Sequence, residues 1–161
     1  MPLDPHLVKF VGSGLDRPEC VLCTSDGSAF VADWRGGVSH ILPDGTVRGL
    51  YQEGNPSGVL PNGIALEQGG TFLLADLGEQ GGVWRLERNG EVRPVLREVE
   101  GKELPPANFV LVDRQGRTRV YSDDQLAKLS ELLRLSLDLS DLSTLMKTLR
   151  SMDSADVKAL L

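Results

Sequence analysis

Three polar side chains recur at corresponding points of this sequence. Glu19 follows Pro18, Asn62 follows Pro61 and Asn108 follows Ala107, at spacings of 43 and 46 residues, and each stands eight positions ahead of a glycine: Gly27, Gly70 and Gly116. A carboxylate and an amide oxygen, as at Glu19 and Asn108, are hard donors of the kind that suits Ca²⁺ or Mg²⁺. Each also has an ordinary structural reading. A carboxylate at a strand start is commonly solvated, and asparagine beside proline or glycine suits turn geometry. Other reactive types lead less far. Cys20 and Cys23 form a C-x-x-C, but no second pair completes a tetrahedral metal set. A strand would turn residues three apart to opposite faces, so the two are expected as buried thiols. His6 and His40 are isolated from any Cys or Ser partner. Gly36-Gly37 and Gly81-Gly82 lack the Gly-Lys-Ser/Thr of a phosphate loop. Trp34 and Trp84 are expected to pack rather than to stack bases or sugars.

The elements that must position these residues repeat with them. PECVLCTSDGSAFVAD, from Pro18, aligns with PNGIALEQGGTFLLAD, from Pro61, and with ANFVLVDRQGRTRVYS, from Ala107. Gly36-Gly37-Val38 then answers Gly81-Gly82-Val83, and Gly45-Thr46-Val47-Arg48 answers Gly90-Glu91-Val92-Arg93. Within one copy, Val21 to Cys23 and Ala29 to Val31 flank a Ser25-Asp26-Gly27 turn. Val38 to Leu42 follow, then a Pro43-Asp44-Gly45 turn and a strand near Thr46 to Tyr51. Four strands in about 43 residues is the period of a propeller blade; a sandwich is the alternative, though sandwich strands need not repeat in sequence. Asp33 and Asp76, at matching offsets, are expected to cap blade turns through backbone amides rather than to act in catalysis.

All 18 glycines lie between Gly12 and Gly116, and the last proline is Pro106. Beyond them the chain is leucine-rich. Ser122-Asp123-Asp124-Gln125 has capping-box spacing, Leu126, Leu129 and Leu133 follow at helical intervals, and Ser140 can cap a second helix carrying Leu142, Leu145 and Leu149. The expected fold is therefore mainly β: a partial β-propeller of two four-stranded blades plus the first hairpin of a third over residues 1–121, followed by an α-helical C-terminal tail over 122–161. That many leucines must find apolar surface, on the open blade edge, on a second copy or on an outside partner. A formal charge of −6 in 161 residues excludes an obvious phosphate-backbone binder, so nucleic acid is not an expected partner. The chain has neither a signal-like N-terminus nor a membrane-spanning apolar run, so a soluble cytoplasmic protein with no membrane partner is expected.

RPECVLCTSDGSAFVADWRGGVSHILPDGT resembles the first blade of the senescence-marker-protein/gluconolactonase/luciferin-regenerating-enzyme-like six-bladed propellers. PNGIALEQGGTFLLAD resembles the following blade, and GKELPPANFVLVDRQGR the segment G-K-x-L-N-x-P-N-D-x-x-x-D-x-x-G. The resemblance covers about residues 12–120. It implies a divalent cation (Ca, Zn, Mg or Mn) at the mouth of a central channel, with Glu19 and Asn108 as metal ligands, Asn62 as a substrate-binding residue and a sugar lactone or sugar acid as the small-molecule partner. The expected function is thus a gluconolactonase-like hydrolase. The departures also count: Phe109 stands where the pattern has Asp, Pro105-Pro106-Ala107 replace the usual lead-in, and the blades carrying the remaining ligands have no counterpart. Six blades of roughly 45 residues need about 270. The site is accordingly expected to be incomplete in one chain, its catalytic base unassigned. The competing expectation is a non-catalytic propeller fragment serving as a ligand-binding or assembly module, with copies associating through the helical tail or the open blade edge.

Overall fold

The computed structural model describes residues 9–113 and 115–121. The expected helical tail, residues 122–161, lies outside the described residues, as does His6. Within them the fold is all-β, with no helix, and every strand pair is antiparallel.

Strands β1 (Val21–Cys23), β2 (Ala29–Asp33), β3 (Gly37–Ile41) and β4 (Val47–Leu50) form one four-stranded meander. Strands β5 (Pro61–Leu66), β6 (Phe72–Asp76), β7 (Val83–Leu86) and β8 (Val92–Leu96) form a second with the same order. A small hairpin, β9 (Glu98–Val99) with β10 (Lys102–Glu103), occupies the connection that follows. It leads to the hairpin of β11 (Phe109–Val112) and β12 (Thr118–Tyr121). The β9–β10 hairpin, which the repeat does not announce, sits where the spacing lengthens from 43 to 46 residues.

One turn is used five times. In each, the amide of the first residue bonds the carbonyl four positions on, and a glycine amide closes back onto the first carbonyl: Thr24 with Ser28 and Gly27, Leu42 with Thr46 and Gly45, Glu67 with Thr71 and Gly70, Glu87 with Glu91 and Gly90, Asp113 with Arg117 and Gly116. This is a tight turn ending in a left-handed residue, which glycine supplies at least cost; Gly27 and Gly90 both have φ of 85°. An acceptor inside the turn holds it further, as where Asp26 receives the Ser28 amide at 3.0 Å and Asn89 the Glu91 amide at 3.0 Å.

Strand alternation packs the blades on one another. Because successive side chains point to opposite faces, β6 sends Phe72 and Leu74 toward the first meander and Leu73 and Ala75 toward the last hairpin. The first group joins Ala32, Val38, Val59, Ile64, Trp84 and Leu86 in one core. The second joins Ala65, Val83, Ala107 and Val110 in another, with Val112 and Val120 packed against it. A sheet buried on both faces is what a blade between two neighbours requires, and it separates this fold from a two-sheet sandwich with one buried face per sheet.

Candidate functional site

The first strand of each sheet starts within two residues of these positions, β1 at Val21 after Glu19, β5 at Pro61 before Asn62 and β11 at Phe109 after Asn108, so the three residues lie toward the N-terminal ends of those strands. Their environments differ. Asn62 is 8% exposed and sits where the β5–β6 pairing slips: Pro61 faces Asp76, yet Ile64 faces Leu74, so Asn62 and Gly63 form a bulge. Bulges re-aim a side chain out of the regular alternation. Here the Asn62 Nδ2 donates to the main-chain carbonyl of Asn108 at 3.2 Å, tying β5 to β11. The close approach depends on Gly63, where an added Cβ would stand 2.7 Å from the Phe109 Cα and 2.9 Å from the Asn108 carbonyl oxygen. The other end of the Asn62 amide, Oδ1, is buried and accepts no hydrogen bond from the described residues. A buried acceptor without a donor is costly and calls for a ligand or a water.

Glu19 is instead exposed and engaged by its own neighbour. Arg17 Nε donates to Glu19 Oε1 at 3.0 Å, with both side chains 46% exposed, and the guanidinium lies 3.9 Å from the Trp34 ring centroid. The structure therefore brings Asn62 and Asn108 into direct contact and holds Glu19 on Arg17. Among the described residues no three His, Cys, Asp or Glu side chains cluster as a metal site. By donor chemistry Glu19, Asn62 and Asn108 offer oxygens of the type a hard cation takes, one carboxylate and two amides, and the Asn62 Oδ1 is the one left buried without a donor among the described residues.

Behind the rim, two fully buried carboxylates organise the blades as their offsets predict. Asp33 Oδ1 accepts the Arg35 amide at 3.1 Å and Arg35 Nε at 2.8 Å; its Oδ2 accepts Arg35 Nη2 at 2.6 Å and Ser39 Oγ at 2.7 Å. Burial works against its charge, but the bonds from Arg35 and Ser39 outweigh it and hold the carboxyl below its ordinary range. Asp76 Oδ1 accepts the amides of Leu60 at 2.8 Å and Gly78 at 2.9 Å, whereas its Oδ2 has no partner among the described residues. Trp84 stands where the first blade has Ser39, and its Nε1 donates to the Gly81 carbonyl instead.

One expectation is corrected. Cys23 is exposed and Cys20 only partly buried, so they are not a pair of buried thiols. The reason is that β1 is three residues long and has its Val21–Cys23 side open, with Val21 54% exposed. Trp84 packs in the core, and Trp34 packs its ring against the Arg17 guanidinium. His40 stacks on Phe30 at 4.3 Å, away from the rim. Sequence reasoning passed over Arg17. Its signal was a basic residue two positions from Glu19, close enough in sequence for a local ion pair.

No protein-family model matches the chain. No curated protein matches it either. Among solved structures, a gluconolactonase from Xanthomonas campestris aligns with a TM-score of 0.50 at 20% identity, covering 63% of this chain and 35% of that one. A catalytically inactive virginiamycin B lyase from Staphylococcus aureus, solved with quinupristin, aligns with a TM-score of 0.50 at 17% identity, covering 67% and 35%. The chain spans about a third of the length of each. At these identities the likeness is one of fold, that of part of a β-propeller. No helix among the described residues is long and apolar enough to cross a membrane.

Proposed function

We propose that this chain supplies part of the divalent-metal site of a gluconolactonase-like propeller that opens a sugar lactone. The observation that carries the reading is the position of Glu19, Asn62 and Asn108 at the N-terminal ends of the first strands of their sheets, with the Asn62 Oδ1 buried and, among the described residues, unsatisfied. A bound Ca²⁺, Zn²⁺, Mg²⁺ or Mn²⁺ would polarise the lactone carbonyl and acidify a water. Glu19 and Asn108 would hold the cation through oxygen. Asn62, anchored by its Nδ2 to the Asn108 carbonyl, would present its free oxygen to the substrate or the metal. Further ligands and the general base would come from outside the described residues or from another chain.

The test is lactone hydrolysis by the full chain with each of the four metals, against Glu19→Ala. Metal-dependent turnover lost in the variant is the expected result; turnover absent with every metal, or indifferent to the substitution, rejects it. A second reading, a non-catalytic binding or assembly module, draws support from the lack of a three-residue acid, His or Cys cluster among the described residues. It predicts binding of a sugar acid without turnover of its lactone.

A further inference from the structure

We infer that Arg17 is an internal rival for the cation at Glu19, so that metal binding at this rim is the exchange of one positive group for another. The inference rests on the metal-site reading above and adds what the chain does at that site before a metal arrives. Glu19 is the one carboxylate among the three rim residues, and its Oε1 already accepts from Arg17 Nε at 3.0 Å. A metal taking Oε1 must displace the guanidinium, and one taking Oε2 binds beside its positive charge.

The arrangement has the features of a held but releasable pair. Arg17 has φ of 47°, in the left-handed region that side-chain-bearing residues rarely occupy. It also precedes Pro18, and proline disfavours anything but extended backbone in the residue before it. An unusual backbone at a candidate site is a reason to look for a function there. The same conformation places the guanidinium 3.9 Å from the Trp34 ring centroid, a cation–π contact independent of Glu19. Arg17 can therefore give up the carboxylate and still rest on Trp34. With both side chains 46% exposed, water replaces the lost bond at little cost. Competition of this kind is modest in size. The loss of an exposed ion pair, with the repulsion between Arg17 and an incoming divalent ion, amounts to a change of about five-fold in affinity.

The experiment is a calorimetric titration of the whole chain with calcium chloride, followed in parallel by tryptophan emission. It compares wild type with Arg17→Ala, Arg17→Gln, Arg17→Lys and Glu19→Gln, each checked for native circular dichroism. Arg17→Gln keeps a long side chain at the strained position should the alanine variant fold poorly. The expected result is calcium binding about five-fold tighter in Arg17→Ala and Arg17→Gln, close to wild type in Arg17→Lys, and lost in Glu19→Gln. Calcium should also shift wild-type emission, as the guanidinium moves relative to Trp34, and shift it less once Arg17 is gone. Equal or weaker affinity in both neutral variants, with Glu19→Gln still abolishing binding, overturns the rivalry and leaves the metal site standing. No calcium uptake by wild type or by either neutral variant overturns the metal site and the rivalry together.

Discussion

Asp33 and Asp76 occupy equivalent positions in successive blades, both with no exposed surface, yet neutralising them should have different consequences. In Asp33→Asn the Arg35 Nε bond to Oδ1 loses its ion-pair partner, the Nη2 bond to Oδ2 is lost because an amide NH2 cannot accept it, and Ser39 must turn its hydroxyl to accept rather than donate. Bonds to charged groups contribute about 1.5–3 kcal/mol each. Arg35 is 39% exposed, so water recovers part of that, and the amide no longer suffers the burial of a charge. A net loss of about 2 kcal/mol follows. In Asp76→Asn the retained Oδ1 still accepts from Leu60 and Gly78, and the atom replaced had no partner to lose. Stability should stay within about 1 kcal/mol of wild type. Urea unfolding followed by circular dichroism reads both; with a slope near 2 kcal/mol per molar, the Asp33 variant's midpoint falls by roughly 1 M. Equal losses in the two variants, or an Asp33→Asn protein as stable as wild type, would refute the reasoning that bonding partners rather than burial separate them.

The same carboxylate makes a pH prediction. The native Asp33 pKa lies below its unfolded value, so its contribution is complete above the ordinary carboxylate range and disappears as pH falls through the depressed native value; acid titration of stability should show wild type and Asp33→Asn converging there. Gly63→Ala should force β11 away from β5, at a cost of about 1–3 kcal/mol, and weaken calcium uptake, with amide exchange at Val110 reporting the loosened strand. Leu74→Ala empties a fully buried site between blades and should cost about 2–5 kcal/mol by the same urea assay. The Glu67–Arg85 pair, bonded at 2.7 Å but 23% and 39% exposed, should contribute less than about 1 kcal/mol, and a double-mutant cycle should find that coupling shrinking at high salt.

The strand layout was open to reading because each element carries a local cause. Asp26-Gly27 and Asp44-Gly45 specify the same tight turn wherever they occur, and the apolar runs between such turns have the length of strands. The two buried aspartates were also legible, since Ala32-Asp33 and Ala75-Asp76 repeat at the same offset. The rim was legible only as positions. Nothing local says that β5 bulges at Asn62-Gly63, because the bulge answers β6 and the approach of Phe109, both distant in sequence. Cys23 was misjudged for a related reason: its exposure depends on what covers the first blade, which its own strand does not encode.

What the sequence determined by itself is a periodic chain of short antiparallel strands, with three oxygen-bearing side chains repeated in phase, because turn chemistry and period-two alternation act over a few residues. What only the tertiary structure decided is the state of those three side chains. Asn62 is locked to the Asn108 carbonyl with one oxygen unsatisfied, and Glu19 is held by an arginine resting on Trp34. Those states arise from contacts between residues as many as 46 positions apart, and the energy of such contacts is set by which backbones and rings are brought face to face.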